Sequence, residues 1–182
     1  IYDKAFEKEP ENDFERAINF IIRSNMGHGY RTNGKKVGWK CDVQGRERAY
    51  AARDWVELPG IIKEAAERLK GVQIENRPAV ELIQKYNFED VLIYADPPYL
   101  LSTRAGKQYR HEMTERDHEE LLKVLIDHKG PVVISGYDSE MYNDILQNWR
   151  KETKTSYAMS AKKRTEVIWC NRPEPWQQAT IF

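Results

Sequence analysis

The sequence predicts an α/β fold with a largely parallel sheet. Short apolar runs alternate with amphipathic helical segments over about 100 residues after Gly71, a pattern typical of strands joined by helices. The apolar runs at 91–95 and 132–135 are strand-sized, and none approaches the roughly 18 residues of a membrane-spanning helix. With 182 residues, 40% of them hydrophobic, the chain suits one domain, or one domain with a small appendage.

Two helices are predicted before this region. Apolar residues recur at helical spacing from Asp13 to Ser24, with Asp13 as the expected N-cap, and again from Ala51 to Leu69. The second helix is predicted to break near Pro59 and to end at Gly71. Its expected buried stripe consists of Ile61, Ile62, Ala65 and Leu69.

The α/β region itself divides into eight predicted elements. In order, they are a strand at 72–75, a helix at 78–86, a strand at 91–95, a helix that begins at Thr114, a strand at 132–135, a helix at 139–149, and strands at 153–159 and 165–170. Asp117 lies three residues after Thr114, which indicates a variant of the capping box. The expected buried face of that helix consists of Leu121, Leu122, Leu125 and Ile126. Because chemistry in such sheets collects at the carboxyl ends of strands, the residues that follow each strand are candidates for a site.

Charge is balanced over the chain but not along it. Lysine plus arginine and aspartate plus glutamate number 29 each, whereas the segment 23–53 has eight basic and two acidic residues, a local excess of six. Five glycines and several aromatic residues lie in the same segment. This composition suits a loop that follows a phosphate backbone, although a solvated basic loop is the alternative. The best candidates for phosphate contacts are Arg31, Lys35, Lys36 and Lys40, with Arg46 and Arg48 as weaker ones.

Cysteine and histidine usage gives little indication of a metal or redox site. Two cysteines are too few for a disulfide framework, which favours a reducing, cytoplasmic compartment. Cys170 is expected to be a buried, inert thiol, and no cysteine or histidine pair has the spacing of zinc ligands. His118 and His128 are expected at the surface, whereas His111 is a candidate to face the site. The first residue, Ile1, suggests a segment of a longer polypeptide.

The most informative motif is Asp96-Pro97-Pro98-Tyr99, which directly follows the most hydrophobic predicted strand. It presents a carboxylate, then a backbone carbonyl beside prolines that lack an N–H, and then an aromatic ring. The alternative interpretation is a strand that ends at proline, with Asp96 capping the turn and Tyr99 packing on the surface.

This motif resembles that of amino-group methyltransferases that use S-adenosylmethionine, and most closely the Dam-type, alpha-class adenine-N6 DNA methyltransferases of phages and restriction-modification systems. The segments Val72 to Arg77 and Lys163 to Asn171 add to the resemblance, which spans about residues 50 to 172. It implies a Rossmann-like sheet, S-adenosylmethionine as cofactor and double-stranded DNA as partner, with no membrane. The implied catalytic residues are Asp96, Pro97, Pro98 and Tyr99, and the implied cofactor contacts are Asn76, Arg77 and Asp96.

The residue types suit this chemistry. The exocyclic amine of adenine is a poor nucleophile, and the Asp96 carboxylate and Pro97 carbonyl can accept its two N–H groups and free its lone pair. Tyr99 can stack on a base that has left the duplex. Arg104 and Lys107, in the polar loop after the motif, are expected to close over the base or grip phosphate, with an ordinary solvated loop as the alternative.

Two features depart from the family pattern. The sequence has no Phe-x-Gly-x-Gly loop for the cofactor, and Pro78 occupies a position where many relatives have an aspartate. We therefore expect a partial sheet whose first strands are absent, with a DNA-recognition segment at 1–53 and a catalytic part at 54–182. Such a chain alone is expected to bind the cofactor weakly or not at all, and not to methylate DNA. It is also expected to leave an unpaired sheet edge beside Val91 to Ala95. Methylation of amino groups in RNA or at cytosine N4, and a catalytically incomplete DNA-binding relative, are the alternative functions. A bacterial, archaeal or phage-infected cell is the expected setting.

Overall fold

The computed structural model describes residues 1–7, 9–28, 35–40, 50–104, 106–157 and 163–172. The chain divides into two compact units, one comprising Ile1–Glu75 with Gln108–Arg110, the other Asn76–Lys107 with His111–Phe182. The predicted division of roles after Arg53 falls inside a helix of the first unit, so that division stays a prediction about function and does not coincide with the boundary between the units.

The first unit contains helices α1 (Lys4–Glu7), α2 (Asp13–Met26) and α3 (Tyr50–Arg68). The N-cap of α2 is Asn12 and not the predicted Asp13, because the Asn12 side chain accepts a hydrogen bond from the Glu15 amide at 2.9 Å. The helix α3 continues through Pro59, contrary to the predicted break. A proline removes one intrahelical hydrogen bond, and the turns on both sides of it still form their own. The left-handed φ of 81° at Gly71 follows the end of the helix.

The apolar stripe of α3 is exposed, which contradicts the prediction. Ile61, Ile62 and Leu69 are 55%, 42% and 51% exposed, and Ala65 is exposed too, whereas Leu58 is buried. A groove of about 270 Å³ lies between α2 and α3. Among the described residues of this unit, α2 packs against α3 and covers only part of the stripe.

The second unit is an α/β layer. Its elements are α4 (Ala79–Lys85), β1 (Ile93–Ala95), a 3₁₀ turn (Leu101–Thr103), α5 (Glu115–Ile126), β2 (Val132–Tyr137), α6 (Glu140–Ile145), β3 (Arg150–Tyr157) and β4 (Lys163–Cys170). The strand order is β1-β2-β4-β3. Strands β1 and β2 are parallel, and the other two pairs are antiparallel.

The predicted α/β class is confirmed, and the largely parallel sheet is not. Consecutive strands β3 and β4 pair with each other, and a direct pairing of that kind is antiparallel. The segment 72–75 is not a strand, because no strand pairs with it among the described residues. Strand β1 lies at the edge of the described sheet, as expected. Residues 158–159, the end of the fourth predicted strand at 153–159, lie outside the residues that the structure describes.

The core lies between the sheet and its helices. Val132, Ile134 and Trp169 on the strands are buried together with leucines of α5. The three leucines predicted to face inward, Leu121, Leu122 and Leu125, are buried, whereas Ile126 is 45% exposed. The predicted capping box is present, with Thr114 and Asp117 bonded to each other's backbone N–H.

His118 and His128 are buried, so their predicted surface positions are wrong. The Nδ1 atom of His118 lies 2.7 Å from the Tyr142 hydroxyl, and the Nε2 atom of His128 lies 2.9 Å from the Val91 carbonyl oxygen. These partners satisfy part of each ring in the interior. Burial lowers the pKa of His118, which favours its neutral form. Cys170 is buried, as predicted.

Gly130 and Asn171 fix the start of β2. A Cβ atom at Gly130 would collide with the Val91 carbonyl and would lie 2.6 Å from the Phe88 carbonyl oxygen. The Asn171 side chain accepts from the Val132 amide at 2.9 Å and donates to the Gly130 carbonyl at 3.0 Å. These contacts support the register that pairs Ala95 with Ile134. That register brings the carboxyl ends of β1 and β2 side by side.

Across the part of the chain with described coordinates, none of the helices has the length and apolar character to span a membrane.

Candidate active site

The centre of the candidate site is Asp96, which directly follows β1 and is exposed. Ser135 of the neighbouring strand donates its hydroxyl to the Oδ1 atom of Asp96 at 2.7 Å. The other carboxylate oxygen, Oδ2, receives no hydrogen bond from the residues that the structure describes. One oxygen is therefore held by the sheet, and the other is available as an acceptor.

The two prolines continue the site from Asp96. Both are half-buried, and the chain contains no cis peptide bond among its described residues. Pro98 has no N–H of its own. No donor to the Pro97 carbonyl occurs within the described ranges. A second acceptor thus lies one residue beyond the carboxylate.

Tyr99 packs against Tyr137, the last residue of β2. The ring centroids are 4.6 Å apart and the ring planes meet at 78°, which is an edge-to-face contact. Burial raises the pKa of Tyr99 to about 12, and the charge of Asp96 adds to this shift. The phenol is therefore protonated at neutral pH and does not serve as a base there.

Arg104 supports the loop after the motif. Its Nε donates to the Tyr99 carbonyl at 2.6 Å, and its Nη1 lies 3.2 Å from a carboxylate oxygen of Glu112. The side chain is only 4% exposed. A buried guanidinium that already pairs with a carboxylate is poorly placed to meet a DNA phosphate. Arg104 thus holds the backbone of Tyr99, and its contact with DNA stays a prediction.

Three predicted DNA contacts lie in the first unit. Lys35 is exposed. Lys36 forms an ion pair with Asp3, and the Nζ atom of Lys40 lies 3.8 Å from the carboxylate of Asp54. Arg31, Arg46 and Arg48 lie outside the described residues.

The remaining predicted residues belong to the second unit. Lys107 and His111 are exposed in the loop after the motif, and Asn76 and Arg77 are exposed just before α4. The acidic, histidine and cysteine side chains with described positions form no cluster of three or more that suits a metal ion.

Gly27 serves the packing of the first unit. A Cβ atom there would lie 2.8 Å from both the Tyr2 hydroxyl and a methyl group of Val37. These close contacts explain why a glycine, which has no Cβ atom, lies at this position.

Sequence reasoning missed Ser135, Tyr137 and Glu112. The first two lie at the end of β2. The sequence contains a signal for them, because β2 is predicted as the next buried strand after β1. The polar residues at its end are therefore expected at the same edge of the sheet. Glu112 had no comparable signal, because its pairing with Arg104 depends on the path of a loop.

A family model described as D12 class N6 adenine-specific DNA methyltransferase matches residues 4–165. The matched range contains the Asp96 motif, Ser135 and Tyr137. A search of curated proteins gives no match to the chain.

Proposed function

The chain belongs to the D12 class of N6 adenine-specific DNA methyltransferases, and we propose that the carboxyl ends of β1 and β2 carry its chemistry. The class transfers a methyl group from S-adenosylmethionine to the N6 amino group of adenine in DNA. The observation that carries the proposal is the Asp96 carboxylate, which has one oxygen hydrogen-bonded to Ser135 and is followed directly in the chain by Pro97.

Asp96 and Pro97 act on the target amine. The lone pair of adenine N6 is delocalised into the ring, so the amine attacks poorly in its planar form. Two acceptors that bind both of its N–H groups favour a tetrahedral nitrogen with a localised lone pair. The Oδ2 atom of Asp96 and the Pro97 carbonyl oxygen provide these acceptors.

Tyr99 holds the base. The target adenine must leave the duplex to reach a site at a strand end, and aromatic rings stabilise such flipped bases by stacking. The half-buried ring of Tyr99 is braced by Tyr137 at 4.6 Å. Pro98 sets the distance between the carboxylate and this ring with a backbone of fixed φ.

The proposed cofactor contacts lie just before α4 and directly after β1. Asn76, Arg77 and Asp96 are all exposed there. We propose that Asn76, Arg77 and Asp96 form the part of the cofactor surface that this chain contributes. Titration of Asn76 and Arg77 variants with S-adenosylmethionine measures their cofactor affinity and tests these two proposed contacts directly.

Among the described residues, the proposed phosphate contacts are Lys35, Lys36, Lys40 and Lys107. The carboxylate partners of Lys36 and Lys40 are themselves 68% and 47% exposed. Exposed ion pairs contribute little free energy, so a phosphate can replace either carboxylate at small cost. The local excess of six positive charges in 23–53 supports the same role.

Replacement of Asp96 by alanine tests the catalytic assignment. We expect Asp96→Ala to lower the rate of methyl transfer in the natural gene product by about 10²- to 10³-fold, the usual effect of losing one preorganised partner in the transition state. The measurement is a single-turnover rate at saturating DNA and cofactor.

Asp90 offers a matched control. It is an exposed aspartate just before β1, at the opposite end of that strand. Asp90→Ala should keep the normal rate. Near-normal turnover by Asp96→Ala would contradict the proposal.

A further inference from the structure

We propose that Ser135 is a positioning residue for methyl transfer, whose hydroxyl holds the Asp96 carboxylate so that Oδ2 faces the target amine. The inference rests on the proposed role of Asp96 and assigns to Ser135 a function that acts through that carboxylate.

Two distances from the Ser135 oxygen indicate which acceptor receives the hydroxyl proton. The Ser135 oxygen lies 2.7 Å from the Oδ1 atom of Asp96 and 3.3 Å from the Ala95 carbonyl oxygen. A serine hydroxyl has a single proton to donate. The nearer acceptor is also the charged one, and hydrogen bonds to carboxylates are shorter and stronger than those to neutral carbonyls. The proton therefore goes to Asp96.

Ser135 is also a rigid point of attachment. It is 7% exposed and lies inside β2, between Ile134 and Gly136. Gly136 packs so closely on the core that a Cβ atom there would be 3.2 Å from the ring of Trp169. A strand held in this way has little freedom to move its side chains.

Asp96 needs such an attachment because it is exposed and lies beyond the last residue of its strand. An unrestrained aspartate populates several staggered rotamers, and only some of them direct Oδ2 at a bound amine. Misplacement of a reacting group by about 1 Å can cost about 100-fold in rate. A hydrogen bond from the sheet selects one rotamer before the substrate arrives.

Ser135 also interacts with the hydroxyl of Tyr99, and this second contact must be separated from the first. Tyr99→Phe removes the contact with Tyr99 and leaves the Asp96 bond in place. Its comparison with Ser135→Ala isolates the effect on the carboxylate.

The test compares Ser135→Ala, Ser135→Thr and Ser135→Cys in the natural gene product. Alanine removes the donor, threonine keeps a hydroxyl and favours a strand, and cysteine is a weak donor of similar size that provides a second loss-of-bond variant. Ser139→Ala is the matched control, because that hydroxyl caps α6 and its loss should affect stability alone. Unfolding midpoints show that each variant is folded at the assay temperature.

Two measurements decide the outcome. The first is the division of the effect between kcat and KM for DNA, where we expect kcat of Ser135→Ala to fall about 10- to 100-fold, KM to stay within about 2-fold, and Ser135→Thr to recover most of the rate. The second is the χ1 rotamer of Asp96 from three-bond NMR couplings, which needs no turnover. We expect a single rotamer in the wild type and in Ser135→Thr, and averaged couplings in Ser135→Ala.

The inference is overturned if Ser135→Ala turns over normally, or if Asp96 keeps a single rotamer in every variant. Failure of Ser135→Thr to recover the rate while its Asp96 rotamer matches the wild type also overturns it. Absence of any methyl transfer to adenine by the wild type would instead contradict the proposed function. The rotamer comparison would still decide whether Ser135 positions Asp96.

Discussion

Tyr99 presents two chemically different groups at the candidate site, a phenol hydroxyl and an aromatic ring. Burial raises the pKa of the hydroxyl to about 12, so below pH 10 the group stays protonated and its charge does not change. The ring is half-buried and braced by Tyr137. These features favour a stacking role for Tyr99 over acid-base catalysis.

We therefore expect Tyr99→Phe and Tyr99→Trp to retain more activity than Tyr99→Ala. Stacking on a base is worth about 1–3 kcal/mol, so Tyr99→Ala should lose about 5- to 150-fold in kcat/KM. Titration of Tyr99 should leave no inflection in the rate between pH 6 and pH 9, since its folded pKa lies far above this range. Tyr86→Ala, a half-buried tyrosine at the end of α4, is the control. Activity in Tyr99→Ala together with loss in Tyr99→Phe would show that the phenol itself acts.

The local sequence predicted the motif residues Asp96 and Tyr99, but not the residues Ser135 and Arg104 that form hydrogen bonds with them. Asp96 and Tyr99 follow a buried apolar run, and that run alone predicts a strand end. Ser135 is recognisable only when the end of β2 is placed next to the end of β1. The role of Arg104 depends on burial beside Glu112, which charge patterning does not show.

At the level of elements, the predictions are confirmed where the capping residues and the buried residues of an element lie within one stretch of sequence. The helix α5 has both its cap and its buried leucines in one stretch of sequence. The predictions are wrong where the structure of an element depends on another element that packs or pairs with it. The segment 72–75 has the composition of a strand but no strand beside it in the described sheet, and α3 has an apolar stripe that the described residues of its unit leave exposed.

Within the described part of the basic segment, backbone hydrogen bonds join residues 38–40 to residues 26–28. The amide of Lys40 donates to the Met26 carbonyl at 2.8 Å, and the amide of His28 donates to the Gly38 carbonyl at 2.8 Å. Gly27 and Trp39 form an antiparallel bridge at the same place. Lys40 thus starts from an anchored backbone, which reduces the entropy that it loses on binding.

A variant with Arg31, Lys35, Lys36 and Lys40 all replaced by alanine should bind every DNA sequence more weakly. The slope of log K against log salt should fall by about 0.9 for each lost phosphate contact. Fluorescence anisotropy over a salt series measures both quantities. A variant with Lys63, Lys70, Lys123 and Lys129 replaced by alanine serves as the control of equal charge. Unchanged affinity and slope in the first variant would place DNA recognition elsewhere.

At the level of the whole molecule, the net charge of zero gives no indication of the separate DNA-binding and catalytic parts that we propose. The 29 basic and 29 acidic residues cancel, so attraction to DNA has to come from a local field and not from net charge. The second unit contains the sheet, its core and the Asp96 motif. The first unit contains the basic segment 23–53. We thus propose that most phosphate contacts belong to the first unit and the chemistry to the second, to which Lys107 adds one phosphate contact.

The most direct test of the account is the identity of the methylated nucleoside. The natural gene product is incubated with isotopically labelled S-adenosylmethionine and either duplex DNA that contains all four bases or RNA of matched sequence. The products are then digested to nucleosides and analysed by mass spectrometry. We predict label in N6-methyldeoxyadenosine alone, and none with Asp96→Ala. Label in N4-methyldeoxycytidine or in RNA, or a folded protein that transfers none to DNA, would contradict the account.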